Sequence, residues 1–241
     1  MKRESGNRPD ANLGFFNFDG RVEEHEHGIR SANHAAAAPK SLPTVFVLVN
    51  AGVRRMPDGS SREITLVLGG VRSGKSRYAL KLAARAQRVT FLATAERRKD
   101  EEMNRKIERH RAERPQHWTT IEEPLKLAAA IESVSNCDLL LIDCLTLFAG
   151  KMLEVFGDDL AAISGSISAL CAAAKAAPYS IVLVSNEVGS GVVPAFELGR
   201  RYRELLGEIN QLVAATADHV VLMVAGLPLT LKSPLSTEIR S

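Results

Sequence analysis

The stretch "ITLVLGGVRSGKS", residues 64–76, decides the fold. Its first five residues, Ile64 to Leu68, form a continuous apolar run, the pattern of a parallel strand buried on both faces. The next eight complete the spacing G-x-x-x-x-G-K-[ST]. Beyond them Ala79, Leu82, Ala83 and Ala86 recur at helical intervals. A strand, a glycine-rich turn and a helix in that order make a phosphate-binding loop. Glycines let backbone N–H groups come close to phosphate oxygens, and the helix N-terminus adds its dipole. The expected nucleotide contacts are Gly69, Gly70, Val71, Arg72, Ser73, Gly74, Lys75 and Ser76. Lys75 would reach the outer phosphates, and the Ser76 hydroxyl would ligate Mg²⁺.

Working outward, four more short apolar runs follow: "VTFLA" (89–93), "LLLI" (139–142), "IVLVS" (181–185) and "VVLMV" (220–224). Helical patterns lie between them. The longest runs through Tyr202, Leu205, Leu206, Ile209, Leu212 and Val213. Strands alternating with helices imply an α/β fold, a P-loop NTPase-like three-layer arrangement around a mostly parallel central sheet. We assign it to residues 63–241. Residues 1–62 read as different material, with "HAAAAPK", "PDGSS" and no sustained periodicity, so a disordered extension is expected there. Only "TVFVLV" (44–49) interrupts that character. Met56, eight residues ahead of the first clear strand, is a candidate translation start.

Bulk properties narrow the function classes. The net charge is +3, and residues 96–114 hold eight Lys or Arg against six Asp or Glu. That near-balance argues against a nucleic-acid tract. No apolar run reaches the roughly 20 residues of a membrane helix, so no membrane insertion is expected. Cys137, Cys144 and Cys171 are odd in number and widely spaced, which suggests neither a disulfide framework nor a zinc site. A cytoplasmic location follows from that usage.

In parallel sheets ligands bind at the carboxyl ends of the strands. "LLLID" ends in Asp143, a carboxylate placed to orient phosphate-bound Mg²⁺. Glu187, in "VLVSNEVGSG", occupies an equivalent place, where it either joins the site or caps the next turn. These parts imply a nucleoside triphosphate and magnesium. The acceptor stays open, since the same loop serves kinases, motors and switches.

The segment "KDEEMNRKIERHRAERP" crowds acids at its start and places Met103, Ile107 and His110 on one helical face, with Arg114 four residues further on. His110 therefore points toward the domain. It is either a packing residue or a nucleophile.

Five segments now carry a resemblance: "LVLGGVRSGKSRYALKLA", "ATA…EMNRKIERHRAERPQHWTTIEE", "LLLIDCLTL", "VSNEVGSGVVP" and "GLPLTLK". In this order they closely resemble the bifunctional adenosylcobinamide kinase/adenosylcobinamide-phosphate guanylyltransferase family of cobalamin biosynthesis, over residues 64–232. "HRAERPxxW" together with "NEVGxGxVP" makes the resemblance specific. It implies phosphorylation of the aminopropanol hydroxyl of adenosylcobinamide by ATP or GTP. It further implies transfer of GMP from GTP to adenosylcobinamide phosphate through a guanylylated histidine, which falls on His110. The family's GTP contacts fall on the phosphate loop, on Ala93, Thr94 and Ala95, on Arg111, Ala112, Glu113 and Arg114, and on Glu122 and Asp143. Arg111 or Arg114 would offset α-phosphate charge. Trp118 reads as a core anchor rather than a base-stacking platform. Two residues depart from the family pattern: Lys151, where asparagine is typical, and Ser190, where methionine is usual. A homotrimer is implied, with adenosylcobinamide and its phosphate as substrates.

Overall fold

The computed structural model describes residues 62–96, 104, 105, 108, 111 and 114–234. All of them lie in one compact unit, Val49–Ser241. The extension read over residues 1–62 falls outside the described residues except for Arg62, and so does the "TVFVLV" run. Seven strands form one sheet: β1 (Ile64–Gly69), β2 (Val89–Ala93), β3 (Thr119–Glu122), β4 (Leu139–Asp143), β5 (Ser180–Val184), β6 (His219–Val224) and β7 (Leu227–Lys232). The helices are α1 (Lys75–Ala83), α2 (Leu127–Ser133), α3 (Leu145–Phe156), α4 (Leu160–Ala176) and α5 (Glu197–Thr216).

The sheet order is β3-β2-β4-β5-β1-β6-β7. Every pairing is parallel except β6 with β7. The five apolar runs supply the five inner strands. Their side chains alternate between two cores, which is why the runs are apolar throughout. Leu66, Leu140, Ile142, Ile181 and Leu183 face the core that α2, α3, α4 and α5 complete. Val67, Phe91, Leu141, Val182 and Val184 face the other, which Ala79 and Ala83 of α1 complete. Trp118 packs into this second core, as its reading as an anchor requires. Leu212 fits the helical repeat of α5 yet stays 41% exposed, outside the buried stripe of Leu205, Leu206, Ile209 and Val213.

The two outer strands escaped the apolar criterion. On β3, "TTIE", no residue is buried, and on β7, "LPLTLK", five of the six are exposed. Each pairs on one side only. Pro228 is tolerated because an edge strand leaves its N–H side unpaired. β7 joins β6 through Ala225 (φ 51°) and Gly226 (φ 84°), the positive φ pair of a type I′ hairpin.

Phe148 is 1% exposed, among the largest fully buried side chains. Phe148→Ala is expected to cost about 3–5 kcal/mol of stability. Urea unfolding reads this directly, and a loss below about 1 kcal/mol would mean that α3 is not packed on the sheet as described.

Candidate active site

The phosphate loop links the end of β1 to α1. Gly69 is buried, and a Cβ there would lie 2.8 Å from the Met223 carbonyl oxygen, so only glycine fits. Gly74, at φ 93°, caps α1 in the left-handed region that glycine tolerates best. A Cβ on Gly74 would also stand 3.3 Å from the Gly226 Cα. The loop is held from both sides. Gly226 N–H donates to the Ser73 carbonyl at 3.0 Å, and Glu187 N–H donates to the Gly69 carbonyl at 3.1 Å. "GLPLTLK" is thus a buttress, the hairpin tip pinning the middle of the loop. Within the loop, Lys75 Nζ donates to the Gly70 carbonyl at 3.1 Å. Ser76 lies in the first turn of α1, Arg72 takes a positive φ of 57°, and Val71 is 83% exposed.

Strand register assembles the rest. Glu122 pairs with Ala93, and Ala93 pairs with Asp143, so the three form one row across the carboxyl ends of β3, β2 and β4. Neighbours in such a row project to the same face, and Ala93 belongs to the α1-side core. Glu122 and Asp143 therefore face the side on which α1 carries Lys75. Arg114 comes to the same side, its guanidinium 3.5 Å from the centre of the Phe91 ring. This cation–π contact contributes on the order of 1 kcal/mol. It orients Arg114 over the row.

Electrostatics tie these groups together. Burial lowers the pKa of Lys75, while the negative charge of Asp143 pulls the other way. Burial also lowers that of Arg114, Asp143 and Glu122 oppose the shift, and Arg111 adds to it. Two partly desolvated cations thus lie in the field of Asp143. That arrangement suits a polyanion carrying a metal. The hydroxyl of Ser76 and the carboxylate of Asp143 are hard oxygen donors, which fits Mg²⁺, an ion that draws most of its ligands from phosphate and water. The two candidate arginines differ: Arg114 is partly buried against Phe91 and Arg111 is exposed.

The side chain of Thr94 is engaged within the fold. It is 2% exposed, its Oγ1 donates to the Cys144 carbonyl at 2.8 Å, and it accepts from Cys144 N–H at 2.7 Å. The hydroxyl splices the end of β2 to the end of β4. Ala95 continues the loop beside it. Glu187 Oε1 accepts from Gly189 N–H at 2.6 Å, the turn-capping alternative of the two weighed for it. Ser190 is exposed in that turn. His110, Ala112 and Glu113, with Met103 and Ile107 of the same face, lie outside the described residues; Asn104, Arg105, Glu108 and Arg111 around them are helical.

Sequence reading overlooked a cavity of about 300 Å³ on the opposite face, between the ends of β2 and β3 and the helices α3 and α5. Lys151 lines it and pairs with Glu96 at 2.8 Å and Glu154 at 3.3 Å. Lys151 stood out in the sequence only as a departure from a family pattern, and nothing local linked it to Glu96, 55 residues away.

A family model described as "Cobinamide kinase / cobinamide phosphate guanyltransferase" matches residues 65–231. The bifunctional adenosylcobalamin biosynthesis protein CobP of Pseudomonas aeruginosa is 47% identical over 169 residues, covering 69% of this chain and 96% of that protein. The bifunctional adenosylcobalamin biosynthesis protein CobU of Escherichia coli is 37% identical over 179 residues, covering 69% of this chain and 98% of that one. Among solved structures, an ATPase of a bacterial type III secretion system aligns with a TM-score of 0.44 at 16% identity, over 66% of this chain and 51% of its own.

Proposed function

The chain belongs to the cobinamide kinase/cobinamide phosphate guanyltransferase family, and from that premise we propose that it carries out both reactions on adenosylcobinamide. In the first, a γ-phosphoryl group of ATP or GTP passes to the aminopropanol hydroxyl. In the second, His110 attacks the α-phosphorus of GTP, forming an N–P bond as the bond to pyrophosphate breaks. A phosphate oxygen of adenosylcobinamide phosphate then displaces the imidazole, giving adenosylcobinamide-GDP. A neutral imidazole is nucleophilic near neutral pH, and a phosphoramidate divides one hard displacement into two easier ones.

The row of Glu122, Ala93 and Asp143 on the face where α1 carries Lys75, with Arg114 held against Phe91 beside it, is the observation that carries this reading. The loop from Gly69 to Ser76 cradles the triphosphate through backbone N–H groups, and Lys75 offsets charge on the outer phosphates. Mg²⁺ held by Ser76 and Asp143 would neutralise charge that builds up during transfer. Arg114, oriented by Phe91, offsets α-phosphate charge, a role for which Arg111 is too exposed. Glu122, at the outer end of the row, and Ala95 contact the nucleotide. Thr94 contributes through its backbone, since its hydroxyl is spent on Cys144.

Assembly and compartment belong to the same proposal. Val192 (94% exposed), Phe196 (83%) and the outward row of Leu227, Leu229 and Leu231 are apolar surface of the kind that subunit contacts cover. They support a homo-oligomer, the homotrimer the resemblance implies. Three free cysteines, Cys137, Cys144 and Cys171, suit the reducing cytoplasm. Among the described residues no helix is long and apolar enough to cross a membrane.

The direct test supplies adenosylcobinamide with GTP labelled at the α-phosphorus and with ATP or GTP labelled at the γ-phosphorus. Label at the γ position should appear in adenosylcobinamide phosphate, and label at the α position in adenosylcobinamide-GDP with pyrophosphate released. Nucleotide hydrolysis that corrinoid does not alter, with no labelled corrinoid formed, would overturn the proposal.

A further inference from the structure

Two strands supply the groups on which a triphosphate would rest: β1 leads into the phosphate loop, and β4 ends in Asp143. They are not neighbours. β5 lies between them in the sheet. A terminal phosphate that meets both Lys75 and an Mg²⁺ held at Asp143 must therefore sit above the carboxyl end of β5. Val184 marks that end, paired with Val67 of β1 and with Asp143 of β4. The ladder to β1 runs on beyond it. Ser185 N–H donates to the Val67 carbonyl at 3.0 Å, and Glu187 N–H donates to the Gly69 carbonyl at 3.1 Å. Asn186, between those two, stands level with the first residue of the loop.

Strand alternation sets the face on which its side chain lies. Val184 belongs to the α1-side core. Ser185 turns the other way, its Oγ donating to Asn210 Oδ1 of α5 at 2.6 Å. Asn186 returns to the α1 side, that of Lys75 and Asp143. Two side chains fix its backbone: its N–H donates to Thr146 Oγ1 at 3.1 Å, and its carbonyl accepts from Asn210 Nδ2 at 2.9 Å. Its own carboxamide is not engaged in this way. Oδ1 is buried without a hydrogen-bond partner, and Nδ2 meets no acceptor among the described residues. An apolar side chain of this size would spare the fold the cost of an orphaned buried oxygen. A polar group kept there without a partner in the fold calls for one from outside it.

We propose that Asn186 is a binding residue for the terminal phosphate of the nucleotide, its Nδ2 donating to a γ-phosphate oxygen. This rests on the nucleotide site proposed above and adds to it a means of telling a triphosphate from a diphosphate. The N–H groups of the loop serve a diphosphate too, whereas a donor above β5 is used only when the γ position is filled. In phosphoryl transfer that donor meets the group that moves. In GMP loading it meets only the far end of the departing pyrophosphate, so the kinase step should depend on it more.

The test uses the full chain, the variants Asn186→Ala and Asn186→Asp, and the α,β-methylene analogues of GTP and GDP with Mg²⁺. These ligands differ only in the γ-phosphate, and the methylene group blocks transfer of GMP. Wild type should bind the triphosphate analogue at least about tenfold more tightly than the diphosphate analogue. Asn186→Ala should leave the diphosphate Kd within about twofold and cut the preference about tenfold, the effect of one hydrogen bond to a charged group. Asn186→Asp, which has the same shape but turns a carboxylate toward the phosphate, should bind the triphosphate more weakly still. Without nucleotide, the melting temperature of Asn186→Ala should equal or exceed that of wild type, because no hydrogen bond of the fold is lost. With natural substrates, kinase kcat should fall about 10²-fold in Asn186→Ala, and GMP loading less than about tenfold. A wild type without the preference, or a preference in Asn186→Ala within about twofold of wild type, would overturn the assignment. So would an equal loss of both analogues together with a lowered melting temperature. Wild-type protein that shows the preference yet phosphorylates no corrinoid would overturn the functional reading and leave this site standing.

Discussion

His110→Asn is expected to abolish covalent GMP loading and to lower guanylyl transfer by about 10³-fold or more, because asparagine has the size of the ring nitrogen's carrier without its nucleophilicity. The motivating features are the motif around His110 and the inward partner that follows it. Arg114, four residues further along the chain, lies over Phe91 and within the field of Asp143. A nucleophile near this guanidinium would meet an α-phosphate whose charge is already partly offset. The adduct on wild-type protein should be acid-labile and base-stable, as a phosphoramidate is, and absent from the variant. Kinase turnover should persist in His110→Asn, since γ-phosphoryl transfer to a hydroxyl needs no covalent nitrogen. An active enzyme in which no label can be trapped, or a variant that still transfers GMP at near wild-type rate, would remove His110 from the mechanism.

Lys75→Met should depress both reactions together, by about 10²–10⁴-fold, because one ammonium serves the outer phosphates in each. Stability should move the opposite way. The only hydrogen bond described for Lys75 Nζ is to the Gly70 carbonyl, and burial lowers its pKa despite nearby negative charge. A folded pKa below the unfolded one means that the cost of burying the cation is fully present at pH below both values. That cost is relieved only as pH rises through the folded value. Removing the charge should therefore leave the melting temperature unchanged or slightly raised in the absence of nucleotide. It should also flatten the dependence of stability on pH on the alkaline side. Calorimetry with and without nucleotide, alongside turnover, reads both effects. A variant that keeps more than about a tenth of either activity would place the phosphates elsewhere.

Much of the fold was legible because it is written locally. The five inner strands are buried on both faces and so read as apolar runs. The loop from Gly69 to Ser76 has its chemistry in eight consecutive residues. Edge strands lack that signal: β3 and β7 expose most of their side chains and exist because β2 and β6 offer them backbone partners. Glu187 illustrates the same limit within the site. Its place at the end of β5 was evident, whereas its bond to Gly189 N–H depends on the course of the turn.

What the sequence by itself determined is the order of strand, phosphate loop and helix, the α/β class that follows, and the residue types available for nucleotide chemistry. Only the tertiary structure decided which of those residues meet. The row of Glu122, Ala93 and Asp143 is a matter of register between three strands. The hold of Gly226 on Ser73 requires the last hairpin to return to the first loop. Arg114 is set apart from Arg111 by a ring on β2, and Lys151 acquires a partner in Glu96 across a cavity. Each of these joins residues distant in the chain, through contacts that exist only once the sheet has paired and its two cores have closed.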